Sequence, residues 1–136
     1  MPAGHRPVVT IRSRSMVISV LCIDDEVPFL ELTKLTLERS GAFAVDTARS
    51  APDAFEKLKH KVYDAIVCDY HMEETDGIEV LKKIRASGND IPFIIFTGRG
   101  REDVVIQAYE NGVDFYVQKT GDPKVQFADL AQKITR

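Results

Sequence analysis

Five short apolar runs, each followed by a segment with helical periodicity, constrain the fold of this chain more than any other feature. The runs cover residues 16–23, 43–48, 64–69, 92–97 and 114–119. The third and fourth runs are almost continuously apolar, which is typical of strands that are covered on both faces in a parallel sheet. Strands that alternate with helices in this way predict βαβ units with right-handed crossovers, arranged as a doubly wound α/β sandwich.

The segments that follow the runs carry helix signals. "VPFLELTKLTLERSG" is expected to end at Gly41, "SAPDAFEKLKH" to begin with Ser50 as its N-cap, and "DGIEVLKKIRASG" to end at Gly88. "REDVVIQAYENG" and "DPKVQFADLAQKI" complete a set of five helices. An eight-stranded β/α barrel needs about 250 residues, so the length of 136 residues excludes that fold.

The composition indicates one globular domain, with 44% hydrophobic and 29% charged residues. The net charge of −3 is unevenly distributed, because residues 1–15 contain Arg6, Arg12 and Arg14 and no acid, which leaves −6 for the rest of the chain. We therefore expect a disordered basic tail over 1–15 and a folded domain over 16–136. An acidic domain is a poor match for direct contact with nucleic acid, whose phosphates require basic patches.

The apolar runs and the two cysteines bear on location. No apolar stretch approaches the roughly 20 residues needed to span a bilayer. The N-terminal arginines followed by "MVISVLCI" look like a signal peptide, but the run is short and ends in "DDE" rather than in small residues. A cytoplasmic location without membrane contact is therefore expected. Cys22 and Cys68 each lie in an apolar run, which favours buried free thiols over a disulfide or a zinc site.

Polar side chains stand at the ends of four of the five runs. Asp24 and Asp25 follow the first run, Asp69 ends the third, Thr97 the fourth and Lys119 the fifth. Because the carboxyl ends of parallel strands share one edge of a sheet, we expect these residues to meet in the crevice where open α/β sheets bind ligands. Taken singly, each is explained as a helix cap, a turn residue or a surface lysine. Their coincidence at one edge favours a functional site.

The residue types at that edge suit phosphoryl transfer. Three adjacent carboxylates without a cation raise one another's pKa and cost stability. With Mg²⁺ they become the oxygen ligands that a hard cation prefers, and the cation can also take a phosphate oxygen. A lysine and a hydroxyl opposite could neutralise and hydrogen-bond a phosphoryl group. One of the carboxylates could itself be the nucleophile and form an acyl phosphate.

Residues 16–136 resemble a known protein family. "DDE" after the first strand, "DYHMEETDG", "FTG" and "YVQK" are similar to the motifs of the receiver domain of two-component response regulators, the family of the single-domain chemotaxis regulator CheY. The resemblance implies a CheY-like, flavodoxin-like (βα)5 fold with the strand order 2-1-3-4-5. The segments "TGRGRE" and "QKTGDPKVQF" further resemble receivers of methanogenic archaea.

Carried over residue by residue, the resemblance implies a phosphoacceptor and a metal site. Asp69 would be the phosphorylated aspartate and also a Mg²⁺ ligand. Asp25 would bind the metal directly, and Asp24 partly through water. The main-chain carbonyl of His71 would supply a further ligand.

The resemblance also implies a switch and partners. Thr97 would move onto a phosphoryl oxygen, Lys119 would pair with another, and Tyr116 would rotate inward behind Thr97. A histidine kinase would donate the phosphoryl group, and residues 101–135 would contact an effector or the protein's own output or sensor domain. The chain would be a monomer or a phosphorylation-linked homodimer. It would be a phosphoacceptor switch rather than an enzyme, assisting only its own phosphorylation and dephosphorylation.

Several positions depart from the family pattern or leave it open. Thr120 follows Lys119 where the family usually has a proline joined by a cis peptide bond, which costs about 3–4 kcal/mol for any other residue. Glu73 replaces the common proline after the methionine of the acceptor motif. His71 and Arg99 occupy positions that tune phosphate lifetime in the family, so the turnover of the phosphoryl group is left open.

Two other functions compete with the receiver interpretation. A phosphohydrolase of the haloacid dehalogenase type also uses an aspartate nucleophile, but it needs a second aspartate two residues later, where this chain has His71. A pseudo-receiver that docks partners without phosphorylation would lack an acidic or lysine position of the site. None of these positions is lost here.

Overall fold

A computed structural model describes residues 17–98, 101–119 and 121–136. The strands are β1 (Ile18–Ile23), β2 (Phe43–Ala48), β3 (Ala65–Cys68), β4 (Phe93–Thr97) and β5 (Phe115–Gln118). The helices are α1 (Val27–Glu38), α2 (Ala51–His60), α3 (Gly77–Ala86), α4 (Glu102–Glu110) and α5 (Pro123–Ile134). Each strand begins and ends within two residues of the apolar run that predicted it.

The five strands form one parallel sheet in the order β2-β1-β3-β4-β5, as predicted. Next to the β2 edge of the sheet, Val20 of β1 pairs with Val45 of β2 on one side and with Ala65 of β3 on the other. The chain therefore leaves β1 toward one edge and crosses back to β3. This reversal creates a crevice outside the carboxyl ends of β1 and β3, where open sheets bind ligands.

The helices cover both faces of the sheet. One layer consists of α2, α3 and α4, whose buried side chains include Ala54, Leu81 and Val104. The other consists of α1 and α5, which contribute Leu30 and Leu130 to a second core cluster. All residues of β3 and β4 are buried, because both strands lie in the sheet interior with a helix layer on each face.

The predicted helix boundaries are confirmed by local contacts. The Ser50 hydroxyl accepts a hydrogen bond from the Asp53 N–H at 3.2 Å and so caps α2. Gly41 and Gly88 have φ angles of +79° and +86°, just beyond the ends of α1 and α3. A residue with a side chain is strained in this left-handed region, so glycine suits both positions.

Several predictions concern residues outside this description. They are the basic tail over 1–15, the position of Arg99 and the peptide bond between Lys119 and Thr120. Among the described residues, Cys22 and Cys68 are both buried and free, as predicted. No helix in the described ranges combines the length and apolar character needed to cross a membrane.

Candidate functional site

Three carboxylates converge at the carboxyl ends of β1 and β3. Asp24 and Asp25 directly follow β1, and Asp69 directly follows β3. One carboxylate oxygen from each lies within 4.8 Å of the others. Asp24 and Asp69 are only 4% and 6% exposed, whereas Asp25 is half-buried. The shared edge of the two strands thus brings together acids that are 45 residues apart in the chain.

Main-chain bonds fix the two buried aspartates. The Asp24 N–H donates to the Ala48 carbonyl at 3.1 Å, and the Asp69 N–H donates to the Ile23 carbonyl at 2.9 Å. Both bonds continue the pairing of the parallel strands by one residue. The two carboxylates therefore leave the sheet side by side because their strands are neighbours.

The doubled acid after β1 does not cap α1. The N-cap of that helix is Glu26, whose side chain makes no capping hydrogen bond. Instead, the Asp24 carboxylate accepts a hydrogen bond from the Glu26 N–H at 2.9 Å, which turns the chain between strand and helix. Asp25 turns the other way and accepts a hydrogen bond from the Glu73 N–H at 3.0 Å. The helix-cap explanation of these two residues is therefore wrong.

Lys119 lies between two of the carboxylates. Its Nζ is 3.0 Å from Asp24 Oδ2 and 3.7 Å from Asp69 Oδ1, and its side chain is 11% exposed. The same ammonium lies 4.0 Å from the centre of the Phe29 ring and 5.5 Å from that of Phe96. Two ion pairs and two aromatic faces therefore fix its position. Phe29 could not be assigned to the site from the sequence, because an aromatic residue in a first helix is most simply explained as part of the core.

The charges of the site are unbalanced. Burial is the main cause that raises the pKa of Asp69, and the negative charge of Asp24 adds to it. The Lys119 ammonium and hydrogen bonds from the Thr97 hydroxyl and the His71 N–H offset only part of this effect. Among the described residues of the cluster there are three carboxylates, and Lys119 pairs with two of them. Carboxylate oxygens in this number and spacing fit a hard divalent cation such as Mg²⁺.

Thr97 and Tyr116 lie on neighbouring strands beside Asp69. Thr97 is 1% exposed, and its carbonyl accepts a hydrogen bond from the Lys119 N–H at 2.9 Å. Tyr116 pairs with Ile95 across β4 and β5 and is half-buried. Its hydroxyl is buried without a hydrogen-bond partner among the described residues. Burial raises the pKa of this phenol. The tyrosine hydroxyl therefore points into the protein.

Asp25 and Asp69 border a cleft of about 650 Å³. His71, Met72 and Gly98 line it together with the site residues already described. His71 is exposed, and the role of its carbonyl as a metal ligand stays a prediction. The loop after β3 packs closely against the start of α3, because Gly77 has no side chain. A Cβ at this position would lie 2.6 Å from the Asp69 carbonyl oxygen. This packing requirement was also missed from the sequence.

Comparison with known proteins agrees with this fold. Residues 20–132 match the family model of the response regulator receiver domain. The chain belongs to this family. Receiver domains generally act as phosphoacceptor switches in two-component systems, with Mg²⁺ bound in an acidic pocket, and they interact with histidine kinases and output domains. The cluster of Asp24, Asp25 and Asp69 is consistent with such a pocket.

The curated relatives of this receiver are longer response regulators, and the chain matches part of each. It is 36% identical over 108 residues to response regulator Rre1 of Synechocystis, covering 78% of this chain and 47% of that protein. The chain spans about half or less of the curated relatives that it matches. Their further domains and activities therefore do not carry over to this receiver directly.

Solved receivers share the fold. The structure of TrrA from Thermotoga maritima in complex with Mg²⁺-BeF is 28% identical, with a TM-score of 0.75, and the match covers 87% of this chain and 96% of that one. A CheY-like receiver of Methanospirillum hungatei gives a TM-score of 0.77 over 88% of this chain and 94% of that one, but at 23% identity it shows the fold alone. Because Rre1 and TrrA are bacterial, the predicted similarity to receivers of methanogenic archaea is not established.

Proposed function

We propose that this receiver accepts a phosphoryl group on Asp69 from a histidine kinase in a Mg²⁺-dependent reaction, and that it then switches conformation. The observation that carries the proposal is the placement of Asp69. Its carboxylate is buried beside two further acids and a fixed lysine, yet it borders an open cleft. A phosphoryl donor can approach from that cleft.

The metal would be held by the acidic cluster. Oxygens of Asp25 and Asp69 are proposed as direct ligands, with Asp24 acting partly through water and the His71 carbonyl as a further ligand. When bound, Mg²⁺ offsets the negative charge of these carboxylates and of the phosphoryl oxygens. Lys119 remains paired with Asp24, which keeps a positive charge 3.7 Å from the Asp69 oxygen.

In the transfer step, one Asp69 oxygen forms a bond to phosphorus. The bond between phosphorus and the imidazole nitrogen of the kinase histidine breaks, and the imidazole keeps the electron pair. The product is an acyl phosphate on Asp69. Lys119 and Thr97 border this position and are proposed to contact two of the phosphoryl oxygens, which stabilises the charge that develops there.

The switch would follow from the added charge. A phosphoryl group on Asp69 adds oxygens that Thr97 and Lys119, which already contact the Asp69 carboxylate, are proposed to follow. Tyr116, whose hydroxyl has no partner in the described structure, is proposed to take its switched position behind Thr97. The change biases the surface of residues 101–135 toward an effector, an output or sensor domain, or a second copy of the receiver. We place this signalling in the cytoplasm.

Phosphorylation in vitro tests the proposal. The purified protein is incubated with acetyl phosphate and Mg²⁺, and the intact mass is measured. We expect the mass of one phosphoryl group to be added to the wild-type protein, and no addition to D69N or in the presence of EDTA. Equal modification of D69N would contradict the assignment of Asp69.

The mass measurement, together with assays of partner binding and of phosphate release, separates the competing functions. An unmodified wild-type protein that still binds its partners would indicate a pseudo-receiver. Steady release of phosphate from many phosphate esters would indicate a phosphohydrolase. His71 disfavours the latter, because it occupies the position where that class requires its second aspartate.

A further inference from the structure

One hydrogen bond at the acidic cluster comes from a residue that departs from the family pattern. The main-chain N–H of Glu73 donates to Asp25 Oδ2 at 3.0 Å. It connects the loop after β3 with the loop after β1, across 48 residues of sequence. Within the described ranges, no other hydrogen bond or ion pair engages the Asp25 carboxylate. The orientation of this acid therefore depends on a single contact.

The two other acids are held differently. Asp24 accepts hydrogen bonds from the Glu26 N–H and from Lys119. Asp69 is held by Lys119, Thr97 and the His71 N–H. Both are almost completely buried, so packing also limits their rotamers. Asp25 is half-buried and lacks this support.

The donor exists only because position 73 is not proline. Proline has no N–H, and the motif of the family commonly carries proline at this position. The chain therefore gains a main-chain donor that the usual residue cannot supply. An ionised carboxylate has about four acceptor positions, so a bond to Oδ2 leaves the other oxygen free to bind a cation.

We infer that the Glu73 N–H is a positioning group that orients Asp25 for metal binding. The inference rests on the metal site of the proposed function. A hydrogen bond that already orients the Asp25 side chain lowers the conformational entropy that this side chain would otherwise lose on binding the cation. Hydrogen bonds from groups behind a metal ligand typically change metal affinity about 10- to 100-fold. Because this bond is exposed to solvent, we expect the lower end of that range.

A matched pair of variants isolates the N–H from the carboxylate of Glu73. E73A and E73P both remove the side-chain charge, but only E73P removes the N–H. Isothermal titration with Mg²⁺ of the whole, unphosphorylated chain gives the dissociation constants. We expect the constant of E73P to be about tenfold larger than that of E73A. Thermal unfolding in EDTA checks the fold, and the proline common in the family indicates that the backbone accepts this residue.

A second measurement tests the contact without any metal. Hydrogen exchange of the Glu73 amide, followed by NMR in EDTA, should be slower in the wild-type protein than in D25A. This readout is unaffected by the stiffening of the backbone that proline introduces.

The outcomes separate this inference from the proposed function. Equal Mg²⁺ dissociation constants for E73A and E73P, or tighter binding by E73P, would overturn the inference alone. An unprotected Glu73 amide in the wild-type protein would do the same. If the wild-type protein bound no Mg²⁺, the metal site of the proposed function would fall, and the inference with it.

Discussion

Two aspartates of this receiver show how the same side chain acquires opposite properties. The pKa of Asp69 is raised, mainly because the carboxylate is buried where the charges of its partners do not compensate it. The pKa of Asp46 is lowered, mainly because its carboxylate accepts a hydrogen bond of 2.6 Å from the Tyr63 hydroxyl. Lys61 adds an ion pair at 3.1 Å. The surroundings of Asp69 thus leave its charge poorly compensated, whereas those of Asp46 stabilise the ionised carboxylate.

The contact between Asp46 and Tyr63 predicts a pH-dependent stability. A carboxyl whose pKa is lower in the folded than in the unfolded state stabilises the fold above its unfolded pKa. That contribution is lost as the pH falls through the folded pKa. We expect Y63F to lower the free energy of unfolding by about 1 kcal/mol at neutral pH. The difference from wild type should shrink at a pH below the ordinary carboxyl pKa of about 3.9, as measured by urea denaturation.

Tyr109 provides the matched control for this prediction. It is 50% exposed, so Y109F makes the same chemical change without removing a buried contact. We expect Y109F to leave the free energy of unfolding within about 0.5 kcal/mol of wild type. A loss in Y63F that stays constant from neutral to acidic pH would show that the hydroxyl does not act through the charge of Asp46.

At the scale of elements, the first residue of α3 connects this helix to the loop after β3. The Gly77 N–H donates to the Tyr70 carbonyl at 2.8 Å, and the Asp76 carboxylate caps the helix through the Glu79 N–H at 2.9 Å. A Cβ on Gly77 would lie 2.6 Å from the Asp69 carbonyl oxygen, which is backbone. The start of α3 and the loop after β3 therefore pack as one unit.

This packing predicts that G77A separates the helix from the loop. We expect a loss of at least about 2 kcal/mol in the free energy of unfolding, because neither backbone segment can move away cheaply. Phosphorylation of Asp69 should also slow, because its loop is displaced. Chemical denaturation and the intact-mass assay measure the two effects.

Gly98 is the control for that substitution. A Cβ there would meet its nearest neighbour, the Cβ of Lys119, at 3.8 Å, which is ordinary contact. We expect G98A to change stability by no more than about 0.5 kcal/mol. Equal effects of G77A and G98A would contradict the assigned packing.

At the scale of the whole molecule, the sheet concentrates negative charge at one point of its edge. The strand order places β1 beside β3, so that three carboxylates and the Lys119 ammonium meet in the described part of the chain. Mutual repulsion and burial lower the stability of the cation-free protein, and binding of a cation to the folded state alone restores it.

Metal removal should therefore lower the melting temperature. At a hundredfold excess over its dissociation constant, Mg²⁺ should add about 2.7 kcal/mol, or roughly 10 °C in a domain of this size. D69N should melt a few degrees above wild type in EDTA, because it removes a poorly compensated charge. The gain of D69N from Mg²⁺ should be smaller. Thermal scans at constant ionic strength measure these shifts, and identical wild-type scans in Mg²⁺ and EDTA would contradict the prediction.

The sequence was sufficient to predict the order of strands and helices and to predict that the polar residues at the strand ends lie close together. Strand and helix positions follow from the spacing of apolar residues, which depends only on local backbone geometry. Asp24, Asp69, Thr97 and Lys119 could be placed at one edge because parallel strands end on the same side of a sheet. The strand order came from family resemblance, because periodicity does not specify which strands pair.

Only the tertiary structure decided the contacts that tune the site. Of the leucines in α1, Leu30 is buried and Leu35 is 60% exposed, a difference that depends on which side of the helix packs against the sheet. The Phe29 ring beneath Lys119 and the Glu73 N–H on Asp25 join segments that are distant in the chain. Such contacts depend on how a helix or loop packs against the sheet. Local sequence determines where strands and helices form, whereas the distances between their side chains are determined by the packing of the whole chain.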